Sequence, residues 1–146
     1  MAKNRRTHMT MIEHFLGMDH FFVAGIPQPK GSARAFVPKG WKRAVVTSAN
    51  PKVKTWESAI RAEAIHHDPV YRSKPVAVAV ILQFVLPRPK KCGPRPTVRP
   101  DLDKMVRAVL DALTGVTWDD DSQVTRIVTT KAYGTKPGVQ ISIGED

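Results

Sequence analysis

Apolar residues fall along this chain in blocks whose spacing switches between two and three-to-four, and that alternation predicts a mixture of strands and helices. Phe21 to Ile26 is apolar and runs into PQPKGSAR, so it reads as a strand followed by a basic loop carrying Lys30 and Arg34. Arg43 to Thr47 make a second short strand. Ser48-Ala-Asn-Pro supplies a helix cap and a proline suited to a first helical position. A helix is expected from about Pro51 to His67, with Val53, Trp56, Ala59, Ile60 and Ala64 as its apolar stripe and Glu57, Arg61 and Glu63 off it.

Val76 to Leu86 is rich in β-branched residues and apolar on both faces, as expected of a central strand covered on each side. Further on, Leu102, Met105, Val106, Val109, Leu110 and Leu113 keep helical spacing, and Gly115 supplies a stop. Gln123 to Thr130 and Gly138 to Ile143 read as two last strands. The expectation is a single α+β domain over residues 21–146, a mixed sheet with two main helices against it, preceded by an extension of twenty residues.

A chain of 146 residues, 42% hydrophobic and 25% charged, is long enough for one core. Lys and Arg number 23 against 13 Asp and Glu, a net charge of +10, which favours a polyanionic partner through counterion release and points to nucleic acid. The single cysteine, Cys92, excludes an intrachain disulfide and a thiolate metal site, and fits a reducing cytoplasm. No signal-peptide pattern opens the chain, and its longest apolar stretch, Val76 to Leu86, is too short to span a bilayer. Prolines 87, 89, 94, 96 and 100 alternate with Arg88, Lys90, Lys91, Arg95 and Arg99 in an exposed basic loop, which reads either as a solvated linker or as a contact to DNA.

Against this basic background stands RPDLDKMVRAVLDALTGVTWDDDSQV. Asp101 and Asp103 are two residues apart and would diverge by roughly 200° inside one helix. They converge if Asp101 lies in extended chain after Pro100 and Asp103 in the first helical turn. Asp119, Asp120 and Asp121 form a second cluster in a turn before a strand, and turn and strand edge are expected to bring it to the first pair. Carboxylates sharing one point repel unless a cation sits between them, and oxygen donors without Cys or His suit Mg²⁺ or Mn²⁺. Phosphodiester hydrolysis is the matching reaction. Asp103, Arg107 and Asp111 share a helix face, which gives Arg107 the role of electrostatic stabiliser of the transition state. The bland alternatives are helix capping and complementing of the helix macrodipole by the aspartates, an ordinary Asp103–Arg107 ion pair, and plain turn chemistry for DDDS.

The same segment closely resembles the signature of RusA-type Holliday junction resolvases, carried here by Asp101, Asp103, Asp111-Ala112-Leu113 and Asp120-Asp121-Ser122-Gln123-Val124. GIPQPKGSAR resembles the family's opening, so the likeness covers roughly residues 21–143. It implies a RusA-like fold, metal binding by Asp101, Asp103 and Asp121 with Asp120 as the accessory acidic position, and a homodimer that nicks four-way junctions in pairs. It also suggests a phage or prophage source. There are two departures. Lys104 stands where the family commonly has asparagine, and Arg107 stands where it has its catalytic lysine.

Candidate DNA contacts are Lys30, Arg34, Arg95, Arg99, Lys104 and Lys131. Trp41, in a basic loop, suits either base stacking or packing. His8, His14, His20, His66 and His67 lack cysteine partners at zinc-ligand spacing. The rival function from another class is a non-catalytic architectural protein that binds branched DNA; it has no use for three convergent carboxylates.

Overall fold

The computed structural model describes residues 17–31, 33–48 and 50–146, with only the backbone of Ala33, Arg34, Thr47 and Ser48. Its elements run β1 (Asp19–Ala24), β2 (Ala33–Phe36), β3 (Val45–Ser48), α1 (Val53–His67), β4 (Val78–Pro87), α2 (Leu102–Leu113), a short 3-10 turn (Asp121–Gln123), β5 (Val124–Gly134) and β6 (Gly138–Glu145). This is a single α+β domain. Residues 1–16, including His8 and His14, lie outside the description.

Four strands form one sheet in the order β1-β6-β4-β5. β6 is antiparallel to both β1 and β4, while β4 and β5 are parallel. A parallel pair needs a crossover, and α2 provides it, so α2 runs back from the end where β4 and β5 finish to the end where they begin. These are called the upper and lower ends below. Alternate residues of β4, namely Val78, Val80, Leu82, Phe84 and Leu86, join Val139, Ile141 and Ile143 of β6 and Phe21 and Val23 of β1 in one core. Both helices deliver their stripes to that core: Val53, Trp56, Ile60 and Ala64 from α1, and Met105, Val106, Val109 and Leu113 from α2.

Three local features depart from the pattern-based expectation. Glu57 is buried on α1 rather than lying off the stripe, because the Lys30 ammonium meets it at 2.7 Å. β1 begins at Asp19, so the sheet reaches into the first twenty residues. The stretch after β1 is not all loop: β2 and β3 pair as a separate antiparallel hairpin, since Ala35 and Phe36 find strand partners in Val46 and Val45 across it.

Helix ends follow local chemistry. Asn50 accepts the Lys52 N–H at 3.2 Å and turns the chain into α1. Beyond α2, Gly115 takes φ +80, a left-handed conformation open to glycine, and its N–H reaches the Trp118 carbonyl at 2.7 Å.

Candidate functional site

At the upper end, Asp101 has extended backbone (φ −70, ψ 136) and Asp103 lies in the first turn of α2, the local geometry anticipated for two convergent carboxylates. Asp101 makes no side-chain cap; its carboxylate faces Lys104 Nζ at 3.5 Å. Asp103 and Arg107 form no side-chain hydrogen bond or ion pair with another described residue, so the simple i, i+4 pair is absent. Capping therefore accounts for neither carboxylate, and a side-chain ion pair accounts for Asp101, through Lys104, but not for Asp103.

The approach to Asp101 is braced. Lys131 Nζ donates to the carbonyls of Val98 and Pro100, both at 2.9 Å, and so ends the proline-rich loop in place. That loop exposes Arg88, Lys90, Lys91, Arg95 and Arg99 and runs directly into the start of α2. Lys30 is a brace of another kind. Its ammonium is shared between Glu57 Oε1 (2.7 Å) and Asp111 Oδ2 (3.0 Å), and its N–H bonds to the Lys104 carbonyl at 3.0 Å. Partial burial works to lower the Lys30 pKa, but the hydrogen bonds and charges of Glu57 and Asp111 outweigh it, and the pKa rises. Its charge is thus balanced within the fold. Arg34 lies on β2, and its side chain is outside the description.

At the lower end the acidic turn is held from every side. Gln123, buried, accepts the N–H groups of Asp119 (2.9 Å) and Asp120 (3.0 Å) on Oε1 and donates from Nε2 to the carbonyls of Arg72 and Val76, both at 3.0 Å. Asp119 accepts the Tyr71 hydroxyl at 2.7 Å and the Lys74 N–H at 2.8 Å, and these two bonds lower its pKa. Asp120 caps the 3-10 turn through the Ser122 N–H (2.9 Å) and meets Lys74 Nζ at 3.2 Å. The Ser122 bonds, then Lys74, pull its pKa down to about 2. Asp120 is therefore a spent carboxylate and unsuited to donating a proton. Asp121 alone of the three has no side-chain partner among the described residues.

The expected meeting of the two clusters within one chain does not occur. Twelve residues of α2 separate the ends, about 18 Å at 1.5 Å per residue. Among the described residues no three His, Cys, Asp or Glu side chains stand close enough to hold a metal ion. The cause is topological: a parallel crossover must carry its first and last residues to opposite ends of the sheet. Asp101 and Asp103 fit a hard cation by donor type, yet a third carboxylate has to come from elsewhere. The roles of Lys30, Lys131 and Gln123 as braces carry no signal in the sequence, because each depends on partners brought close only by the fold.

Comparison with known proteins adds a family. The sequence profile described as endodeoxyribonuclease RusA matches residues 27–144. A curated relative, the uncharacterized protein YqaN of Bacillus subtilis (strain 168), is 43% identical over 51 residues, covering 35% of this chain and 36% of its own length. The match thus spans about a third of that relative.

Proposed function

The chain belongs to the RusA endodeoxyribonuclease family, and on that premise we propose that it resolves four-way DNA junctions by paired, symmetric, divalent-cation-dependent nicks, working as a homodimer. One observation carries the reading: in a protein of charge +10, Asp101 and Asp103 sit at a helix start with carboxylates unused by capping, Asp101 facing Lys104, directly after a loop that exposes Arg95 and Arg99. Carboxylates placed there complement the helix N-terminus, and being clear of any cap they also suit a cation held against phosphate.

Asp101, Asp103 and Asp121 would hold Mg²⁺ or Mn²⁺, which when bound polarises a phosphoryl oxygen and makes a hydroxide nucleophile available at neutral pH. Because Asp121 stands at the far end of its own sheet, the third donor to each site is Asp121 of the partner subunit. A twofold dimer offers two such composite sites to a twofold junction. Arg107, one turn past Asp103, places a permanent positive charge for the equatorial phosphoryl oxygens as the new P–O bond forms and the ester P–O bond breaks. It cannot relay a proton, so water must carry that step. The exposed cations of the 88–99 loop hold the flanking backbone.

The composite arrangement has its own test. Asp103→Asn and Asp121→Asn homodimers should each fail to cut a synthetic four-way junction, whereas mixing and re-annealing the two variants should restore cutting, since one site of the mixed dimer is wholly wild type. Mixed dimers that stay inactive overturn the shared site. That no three-carboxylate cluster forms among the described residues favours a second reading, an architectural junction binder. Tight junction binding by wild type with no cleavage in Mg²⁺ or Mn²⁺ would select it.

A further inference from the structure

Between β1 and α1 the chain leaves the body as the β2–β3 hairpin, which pairs only with itself: Ala35 faces Val46 and Phe36 faces Val45, and neither strand joins the four-stranded sheet. Its tip, residues 37–44, turns on the Trp41 N–H to Pro38 carbonyl bond (2.9 Å) with Gly40 at φ +88. Its root is stapled at the upper end. Asn50 Nδ2 donates to the Pro29 carbonyl at 2.9 Å and to Gln28 Oε1 at 3.3 Å, while the Lys30 N–H holds the Lys104 carbonyl. The arm therefore springs from the same end of the molecule as Asp101 and Asp103.

The arm displays what a fold ordinarily hides. Trp41 is 62% exposed, Phe36 50% and Val46 67%, and none of them joins the core. Trp56 and Trp118, by contrast, are buried. Leaving an indole in water forfeits on the order of 2–3 kcal/mol of burial, so packing does not explain Trp41. Lys39, Lys42 and Arg43 flank it, and from His20 to Trp56 the chain has seven Lys and Arg residues and no Asp or Glu. A second copy seated on this patch through a twofold axis would set cation against cation. Phosphates with an exposed base face complement both features at once.

We propose that the β2–β3 arm is a branch-point reader that stacks Trp41 on an unpaired or unstacked base of the DNA while Lys39, Lys42 and Arg43 hold the phosphates on either side. This rests on the junction-binding reading above and adds to it the element that separates a branch from plain duplex. In continuous duplex the bases are stacked and a protruding indole has no face to meet. At a branch the stack is interrupted, and the indole gains one.

Binding measured in chelator, where no cutting occurs, isolates the effect. Trp41→Ala should weaken binding to a synthetic four-way junction about tenfold, the scale of one base–aromatic stack, and change binding to linear duplex by less than about twofold. Trp41→Phe should recover most of the loss. Junction binding should also quench the wild-type emission from the exposed indole, and the quench should vanish in Trp41→Phe while binding persists. Equal losses on junction and duplex, an unchanged junction affinity, an unquenched indole, or a Trp41→Ala protein whose oligomeric state alone has changed would each overturn the proposal. Asp103→Asn protein that still cuts would sink the metal-site assignment and leave these binding readouts standing.

Discussion

Asp101 and Asp120 expose nearly the same share of their side chains, 50% and 47%, and each faces one lysine, at 3.5 and 3.2 Å. They differ in everything else. Asp120 spends its oxygens on a turn N–H and Lys74 within a lattice that also takes Tyr71, Asp119 and Gln123. Asp101 and its neighbour Asp103 cap nothing, although they sit where capping is easiest. Exposure and residue type do not separate the two aspartates. The number of backbone and side-chain partners already satisfied does.

That contrast breaks most decisively at the upper end. Asp103→Asn should lower junction cleavage by about a thousandfold, the range seen on removing one key charge-stabilising group, without weakening junction binding. A variant that melts early instead would make Asp103 a structural residue like Asp120. Cleavage in gel assays and a denaturant midpoint on the same preparation decide between them.

At the lower end the expected ranking is reversed, with stability as the readout. Gln123→Leu removes four hydrogen bonds and strands the carbonyls of Arg72 and Val76, at a cost of about 3 kcal/mol in chemical denaturation. A cost under about 1 kcal/mol would mean that the acidic turn stands without its buried amide.

Lys30 joins the two helices, and its loss should matter somewhat less, because the pair is partly solvated. Lys30→Met leaves the buried Glu57 with only the longer Arg61 contact (3.8 Å) and should destabilise by about 2 kcal/mol, and adding Glu57→Leu should recover much of that. Failure of the double variant to recover would place the strain in the loop backbone rather than in the uncompensated carboxylate.

The smallest effect is the pH dependence of the acidic turn. The folded Asp120 pKa lies at about 2, below the ordinary carboxylate value of 3.8, so its contribution is complete above 3.8 and is lost as pH falls through about 2. Acid titration of wild type and Asp120→Asn should therefore diverge above pH 4 and converge near pH 2. Parallel curves throughout would remove Asp120 from the turn's stability.

Much of the fold was legible because it is written in local periodicity. The apolar run of β4, the stripe of α2 and the stop at Gly115 depend on residues a few positions apart, and the elements formed where that spacing placed them, with ends shifted by at most four residues, although β4 is fully covered on one face only and exposes Gln83 on the other. The hairpin was half missed: Arg43 to Thr47 showed as a strand, but Ala33–Phe36 is only four residues long and sits among glycine, serine and proline. Glu57 was misplaced because its burial depends on Lys30, distant in sequence and brought close only by the fold.

The amino-acid sequence alone determined the class of the fold, the basic charge that suits a polyanion, and the placing of Asp101 in extended chain with Asp103 in the first helical turn, since each follows from nearest neighbours and composition. Only the tertiary structure decided that the second acidic cluster lies at the opposite end of a parallel crossover, that Asp119 and Asp120 are consumed by their own turn, and that Trp41 is exposed on an arm rooted at the end where the first pair lies. The physical reason is the range of the forces involved. Hydrophobic periodicity and capping act within a few residues, whereas which charges meet and which remain free is set by chain topology and by partners fifty residues away.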